Sequence, residues 1–316
     1  MKSTLLKMSH ICKSYPGVKA INDVSIDLFA GEVLGIMGEN GAGKSTLIKL
    51  LAGAEKKDSG EIYIDEKKVD INSPKASQEN GVSVIYQELI TMDTLSVAEN
   101  IFVGQLPVNK VTKLIDWKAA QKKSTEVLAL LNSNIKPKSI VATLSVYEKQ
   151  IVEVAKAIHK NAKVVVMDEP TAALSEKDSK SLFKVIENLK NQGVGIIYIS
   201  HRIEEVFKIS DRITVMRDGK LIATKQTKDA EKKEIISMMI GRELNQFFPE
   251  IKSEKKGVMM KVSDLNINGI IENISFEVKK GEILGIFGLV GSGCLNIARA
   301  LIGVDDIDQG EIHING

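Results

Sequence analysis

The nine residues from Gly38 to Thr46, Gly-Glu-Asn-Gly-Ala-Gly-Lys-Ser-Thr, fit the spacing G-x-x-x-x-G-K-[ST]. Glycines at such positions let backbone N–H groups converge on phosphate oxygens, and a helix that follows adds its positive N-terminal end. Lys44 then reaches the β- and γ-phosphates of a nucleotide, and the Ser45 hydroxyl ligates Mg²⁺. Gly38, Asn40, Gly41, Gly43, Lys44, Ser45 and Thr46 are therefore candidate phosphate-binding residues. A second constellation is the carboxylate pair Asp168-Glu169, delivered by the apolar run Val164-Val-Val-Met167. A buried strand ending in two acids presents them where α/β proteins bind ligands. Asp168 is placed to hold Mg²⁺, and Glu169 to polarise an attacking water, a contribution of about 10²- to 10⁴-fold in rate for general-base work.

These residues need elements to hold them. The apolar run VLGIM leads into the glycine segment and TLIKLLAG leaves it, which is the strand-to-helix context that the spacing requires. Strands are expected near residues 5–15, 24–28 and 33–37, and short buried strands at 82–86, 164–168, 196–200 and 212–217. Helical stretches lie between them: Asp116 is placed to cap a helix over 117–131, and Leu182, Val185, Ile186 and Leu189 share one face of another. The alternation predicts an α/β domain with a mainly parallel sheet. Residues 95–157 read as helical throughout and as a lobe of their own.

Composition narrows the function. Lys plus Arg number 43 and Asp plus Glu 41, so the net charge of +2 creates no global basic field for nucleic acid, and a polyanion must be held locally. Cys12 and Cys294 are far apart in sequence and form no disulfide framework, which fits a reducing compartment. No run reaches the roughly 18 apolar residues of a spanning helix.

The segment 31–66 recurs at 281–316 with an offset of 250 residues, 15 of 36 positions being identical, including the turn glycines. A period this long reads as two copies of one domain. The expected division is a first domain over 1–241, a linker over 242–257 and the beginning of a second copy over 258–316. That copy is cut short, and an uncut chain is expected to run to roughly 500 residues.

In this order and spacing the chain resembles the ATP-binding-cassette (ABC) ATPases, and the likeness covers almost all of it. The motifs are Tyr15, Gln87 in VIYQE, Leu144-Ser145 opening a signature segment, Asp168-Glu169, and His201 after IIYIS. The resemblance implies a P-loop NTPase fold with a helical subdomain, followed by an incomplete second copy, with ATP and Mg²⁺ as cofactors. It implies that Tyr15 stacks on adenine, worth about 0.5–1.5 kcal/mol beyond burial. Gln87 would sense Mg²⁺ and the lytic water, Asp168 and Ser45 would bind the metal, and His201 would donate to the γ-phosphate with Glu169 as base. A tandem cassette with a degraded second cradle, together with stretches such as IYISHRIEEVF and MMIGREL, resembles the importers of ribose, galactose and xylose type. That likeness implies an ATPase subunit, peripheral on the cytoplasmic face of the membrane. Its partners would be membrane permease subunits, an extracytoplasmic sugar-binding protein acting indirectly, and a second ATPase cassette or a homodimer, with no nucleic acid.

The pattern departs from the family at three places. The signature reads Leu144-Ser145-Val146-Tyr147-Glu148-Lys149-Gln150 rather than L-S-G-G-Q, so Tyr147 is expected to add bulk, and Glu148 a repelling charge, where phosphate approaches. Ser175 stands where an acid is common. In the second copy Cys294 and Leu295 replace Lys44 and Ser45, and no aromatic in 261–269 replaces Tyr15. Because the family clamps nucleotide between the phosphate loop of one cassette and the signature of another, the chain alone is expected to bind Mg-ATP and hydrolyse it poorly. The alternatives are a hydrolytically weak or regulatory remnant of such a subunit and a ribosome-associated tandem ATPase, the latter disfavoured by the short, mixed-charge junction at 242–257.

Overall fold

The computed structural model describes residues 3–241, 256–267, 269–289 and 291–315. The chain divides into two compact units, residues 1–244 and 245–316. Most of the expected linker, residues 242–255, lies outside the described residues.

In the first unit, β1 (Thr4–Tyr15) and β2 (Val18–Phe29) form an antiparallel hairpin. It joins β4 (Ser59–Ile64) and β5 (Lys67–Val69) in a four-stranded sheet of order β2-β1-β4-β5. The second sheet contains β3 (Val33–Met37), β6 (Val82–Ile85), β7 (Val164–Asp168), β8 (Gly195–Ile199), β9 (Arg212–Arg217) and β10 (Lys220–Gln226). Its order is β10-β9-β3-β8-β7-β6, parallel from β9 to β6 with β10 antiparallel at one edge. The parallel strands expected from sequence therefore form, and a separate antiparallel sheet stands beside them. Its strands β4 and β5 are short, six and three residues, and each is interrupted by polar or charged residues, so no long apolar run marks them.

Both faces of the parallel sheet are covered, and this is why its strands are continuous Val/Ile runs. Alternate residues enter two cores: Val33 and Met37, Val165 and Met167, and Ile196 and Tyr198 pack with the helices on one face. Leu34 and Ile36, Val164 and Val166, and Ile197 and Ile199 pack on the other face with β1, β2 and α1 (Lys44–Leu51). On the first face lies α6 (Glu176–Asn191), burying Leu182, Val185, Ile186 and Leu189 as its spacing predicts.

The lobe over 95–157 is less regular than expected. It holds α3 (Val97–Ile101), α4 (Trp117–Leu130) and α5 (Val146–His159), and Asp116 caps α4 by accepting from the Ala119 N–H at 2.9 Å. The helix is interrupted twice. After α3 the chain turns at Gly104 (φ +76°) and makes an isolated antiparallel bridge between Val108 and Ile115. After α4, Asn132 takes φ +53° and ends the helix, and only a single 3₁₀ turn, Val141–Thr143, precedes α5. Here turn chemistry at glycine, asparagine and proline overrides helical periodicity.

The second unit has β11 (Lys256–Ile267), β12 (Ile271–Lys280) and β13 (Gln309–Ile314) in order β12-β11-β13, with α9 (Cys294–Leu301). Val262, Leu265, Ile267, Ile271, Ile297 and Ala300 form its core. Register relates it to the first unit: Met8 pairs with Ile62, and Val262 with Ile312. Lys13 pairs with Ile21, and Ile267 with Ile271, so the hairpin connection is four residues shorter in the second unit.

Candidate functional site

The fully buried β3 aims the chain into the glycine segment. At Gly38 a Cβ would lie 2.4 Å from the Met216 carbonyl oxygen, and at Gly43, held at φ +99°, a Cβ would lie 2.6 Å from that of Ala20. Both positions therefore demand glycine, for close approach and for left-handed backbone. The helix α1 begins at Lys44 itself. The Lys44 ammonium curls back over the loop, donating to the carbonyls of Gly38 at 2.7 Å and Glu39 at 3.0 Å. Burial pulls its pKa below the ordinary lysine value, and the nearby carboxylates of Glu169 and Asp168 oppose that pull.

The loop floors a cleft of about 700 Å³. Asn40, Gly41, Gly43, Lys44, Ser45 and Thr46 line it, and Tyr15, Gln87, Asp168 and Glu169 line the same cleft. Gly38 reaches it through its carbonyl bond to Lys44. Asp168 ends β7, as the apolar run predicts. Burial, with the charge of Glu169, pushes its carboxyl above the usual range, and Lys44 counters them. Glu169 adopts φ +47° and donates its N–H to the Ile199 carbonyl at 2.9 Å, which turns its side chain off the strand line. His201 meets it there, with Nδ1 3.0 Å from Glu169 Oε1.

Two features of this region carry no motif in the sequence reading. The turn Asp218-Gly219 between β9 and β10 also lines the cleft, and its Gly219 N–H donates to the Ala42 carbonyl at 3.2 Å. Asp-Gly between strands, both residues at positive φ here, is a hairpin signal that was available in RDGK. The second is a buried polar cluster around Glu205, which touches the segments on either side of the Glu169–His201 contact.

Leu144 and Ser145 do not line this cleft. Ser145 is the N-cap of α5, with a reciprocal capping box: its hydroxyl accepts from the Glu148 N–H at 3.2 Å, and Glu148 accepts from the Ser145 N–H at 2.8 Å. Tyr147, in the first turn of α5, is half-buried and packs part of its ring against the core. Glu148 is occupied locally in the same way. Ser175 caps α6 through the Asp178 N–H at 3.2 Å. In the second unit the cradle keeps its shape, with Gly291 and Gly293 at φ +87° and +84°, but it carries Cys294 beside Ser292 at 3.3 Å and an exposed Leu295. The four-residue shortening removes from its hairpin the stretch that bears Tyr15 in the first unit.

The residues fit a Mg-nucleotide. Gly38 and Gly43 let the loop pack tightly against Met216 and Ala20, and one half-buried cation, Lys44, faces two carboxylates. Among the described residues no group of three or more His, Cys, Asp or Glu forms a self-contained metal site. The donor set of Ser45, Gln87 and Asp168 suits a hard cation that brings phosphate and water oxygens with it.

The ABC transporter family model matches residues 21–172 and 271–316. The ribose import ATP-binding protein RbsA of Clostridium perfringens is 44% identical over 315 residues, covering 100% of this chain and 63% of that protein. The galactose/methyl galactoside import ATP-binding protein MglA 1 of Photobacterium profundum is 43% identical over 316 residues, 100% of this chain and 64% of its own length. The chain thus spans somewhat under two thirds of these curated relatives. Among solved structures, the ADP conformation of an ATP-binding cassette of an ABC transporter aligns at TM-score 0.65 and 27% identity, covering 75% of this chain and 95% of that one. With the phosphate loop, the acid pair and the histidine gathered at one end of a parallel sheet and the family model matching both copies, the chain belongs to the ABC transporter family.

Proposed function

We propose that the first unit binds Mg-ATP and hydrolyses it as the ATP-binding subunit of a monosaccharide import system. The observation that carries this is the meeting of Lys44, Asp168 and Glu169 in one cleft, with His201 on Glu169. The loop N–H groups and Lys44 would hold the phosphates, and Tyr15 would stack on adenine. Ser45, Gln87 and Asp168 would hold Mg²⁺, whose charge neutralises phosphate oxygens when bound. Glu169 takes a proton from water as that water's oxygen bonds to the γ-phosphorus and ADP leaves. By the family likeness His201, whose Nδ1 lies 3.0 Å from Glu169 Oε1, would donate to the γ-phosphate. The names of the relatives support ribose or galactose as the class of cargo. By the same likeness the partners are a permease on whose cytoplasmic face the subunit sits, an extracytoplasmic sugar-binding protein acting through it, and a second cassette or another copy whose signature completes the cleft. Among the described residues no helix is long and apolar enough to cross a membrane.

Calorimetry with Mg-ATP tests the reading. Lys44→Ala is expected to abolish the heat of binding, and Glu169→Gln to keep binding while stopping turnover by the chain paired with its permease. Equal loss of binding in both variants overturns the assigned roles.

A further inference from the structure

Three hydroxyls and a guanidinium converge on one carboxylate beneath the cleft. Glu205, on α7 (Ile203–Ile209), accepts at Oε2 from Thr171 Oγ1 at 2.6 Å, Tyr198 OH at 2.9 Å and Ser200 Oγ at 3.3 Å. Its Oε1 accepts from Arg202 Nη1 at 3.2 Å, and Ser200 Oγ in turn accepts the Arg202 N–H at 3.0 Å. Thr171, Tyr198 and Ser200 are at most 2% exposed. A buried carboxylate persists only when such donors compensate its lost hydration.

The placement of these donors gives the cluster its meaning. Thr171 lies two residues after Glu169, and Ser200 and Arg202 flank His201 on both sides. The two segments come from different strands, β7 and β8, and one backbone bond, from Glu169 to Ile199, joins them next to the site. Glu169 sits in left-handed backbone, a conformation that costs about 1 kcal/mol or more in a non-glycine residue and needs surroundings that enforce it. His201 is itself exposed, and its Nδ1 lies against Glu169.

We propose that Glu205 is a positioning residue that locks the segment carrying Glu169 to the segment carrying His201, and so sets the geometry of that pair. It does not line the cleft and acts through Thr171 and Ser200. The inference deepens the hydrolytic reading and rests on it for its catalytic consequence, while the positional claim stands on geometry alone.

The test uses the full chain labelled with ¹⁵N at its four histidines, the His201 signal being assigned by its loss in His201→Asn. Glu169→Ala supplies the reference position for a freed Nδ1. Glu205→Gln is expected to move the His201 Nδ1 resonance toward that reference. In turnover assays of the chain paired with its permease it is expected to lower kcat about 10²-fold with KM for Mg-ATP within about threefold, a split that general loss of structure does not produce. Thr171→Val, which removes one donor and keeps the carboxylate, is expected to move the same resonance in the same direction. A His201 resonance unmoved in Glu205→Gln overturns the proposal, and, should that variant not fold, one unmoved in Thr171→Val does so. If the unmodified chain binds no Mg-ATP, the nucleotide reading falls, and the histidine resonance still decides the positional claim.

Discussion

Asp168 shows what the cleft costs the protein before any ligand arrives. Burial and the neighbouring Glu169 both raise its pKa above 3.8, and the single Lys44 charge only partly answers two carboxylates. For an acid raised in the folded state the native form holds the proton longer than the unfolded chain does. The penalty is therefore absent below the ordinary carboxylate range, grows as pH rises through the window between 3.8 and the raised value, and is complete above it. Asp168→Asn removes that penalty. Its melting temperature without nucleotide at neutral pH is expected to exceed that of the parent, the difference narrowing as pH falls toward the carboxylate range, while Mg²⁺-dependent nucleotide affinity drops. Thermal melts across pH check this, and a variant that melts at or below the parent at neutral pH contradicts it.

Helix entry is the recurrent device among the elements. Ser96, Asp116, Ser145 and Ser175 each cap a helix by side-chain acceptance from a backbone N–H, and two of the four complete a capping box with glutamate. The box on α5 explains how an acid stands in the signature segment without facing outward as a free charge, since Glu148 bonds both the N–H and the hydroxyl of Ser145. Ser145→Ala is expected to destabilise the chain by about 1 kcal/mol, and Ser145→Gly by only a few tenths. Denaturant unfolding measures both; equal losses for the two variants argue that the hydroxyl does something other than cap.

At the scale of the whole molecule the two copies share a beginning and differ in chemistry. The second retains the antiparallel sheet and the glycine turn but has lost the lysine, the serine and the hairpin stretch that bears the aromatic. Its counterpart of β3, within residues 282–289, forms no strand, and Ile283 and Phe287 are 85% and 95% exposed. In the first unit β3 is regular because β8 and β9 flank it and two cores cover its faces. One Mg-ATP per chain is the expected calorimetric stoichiometry. The double variant Cys294→Lys with Leu295→Ser is expected to leave it at one, because the deleted hairpin residues are not restored; a stoichiometry of two in either protein contradicts this.

The sequence by itself determined the phosphate loop, the acid pair, the seven strands rich in Val and Ile, and the repeat. Local chemistry suffices for these: glycine spacing, apolar runs and period-two burial act over a few residues. Tertiary structure alone decided the rest. How far Tyr147 packs on the core depended on which side of α5 met the lobe, and whether Glu148 was a free charge depended on the cap. The strand β4 is completed by the pairing edge that β1 offers, and β5 by the edge that β4 offers in turn. The contact between Glu169 and His201, and the Glu205 cluster beneath it, join residues of separate strands that only the parallel sheet brings side by side.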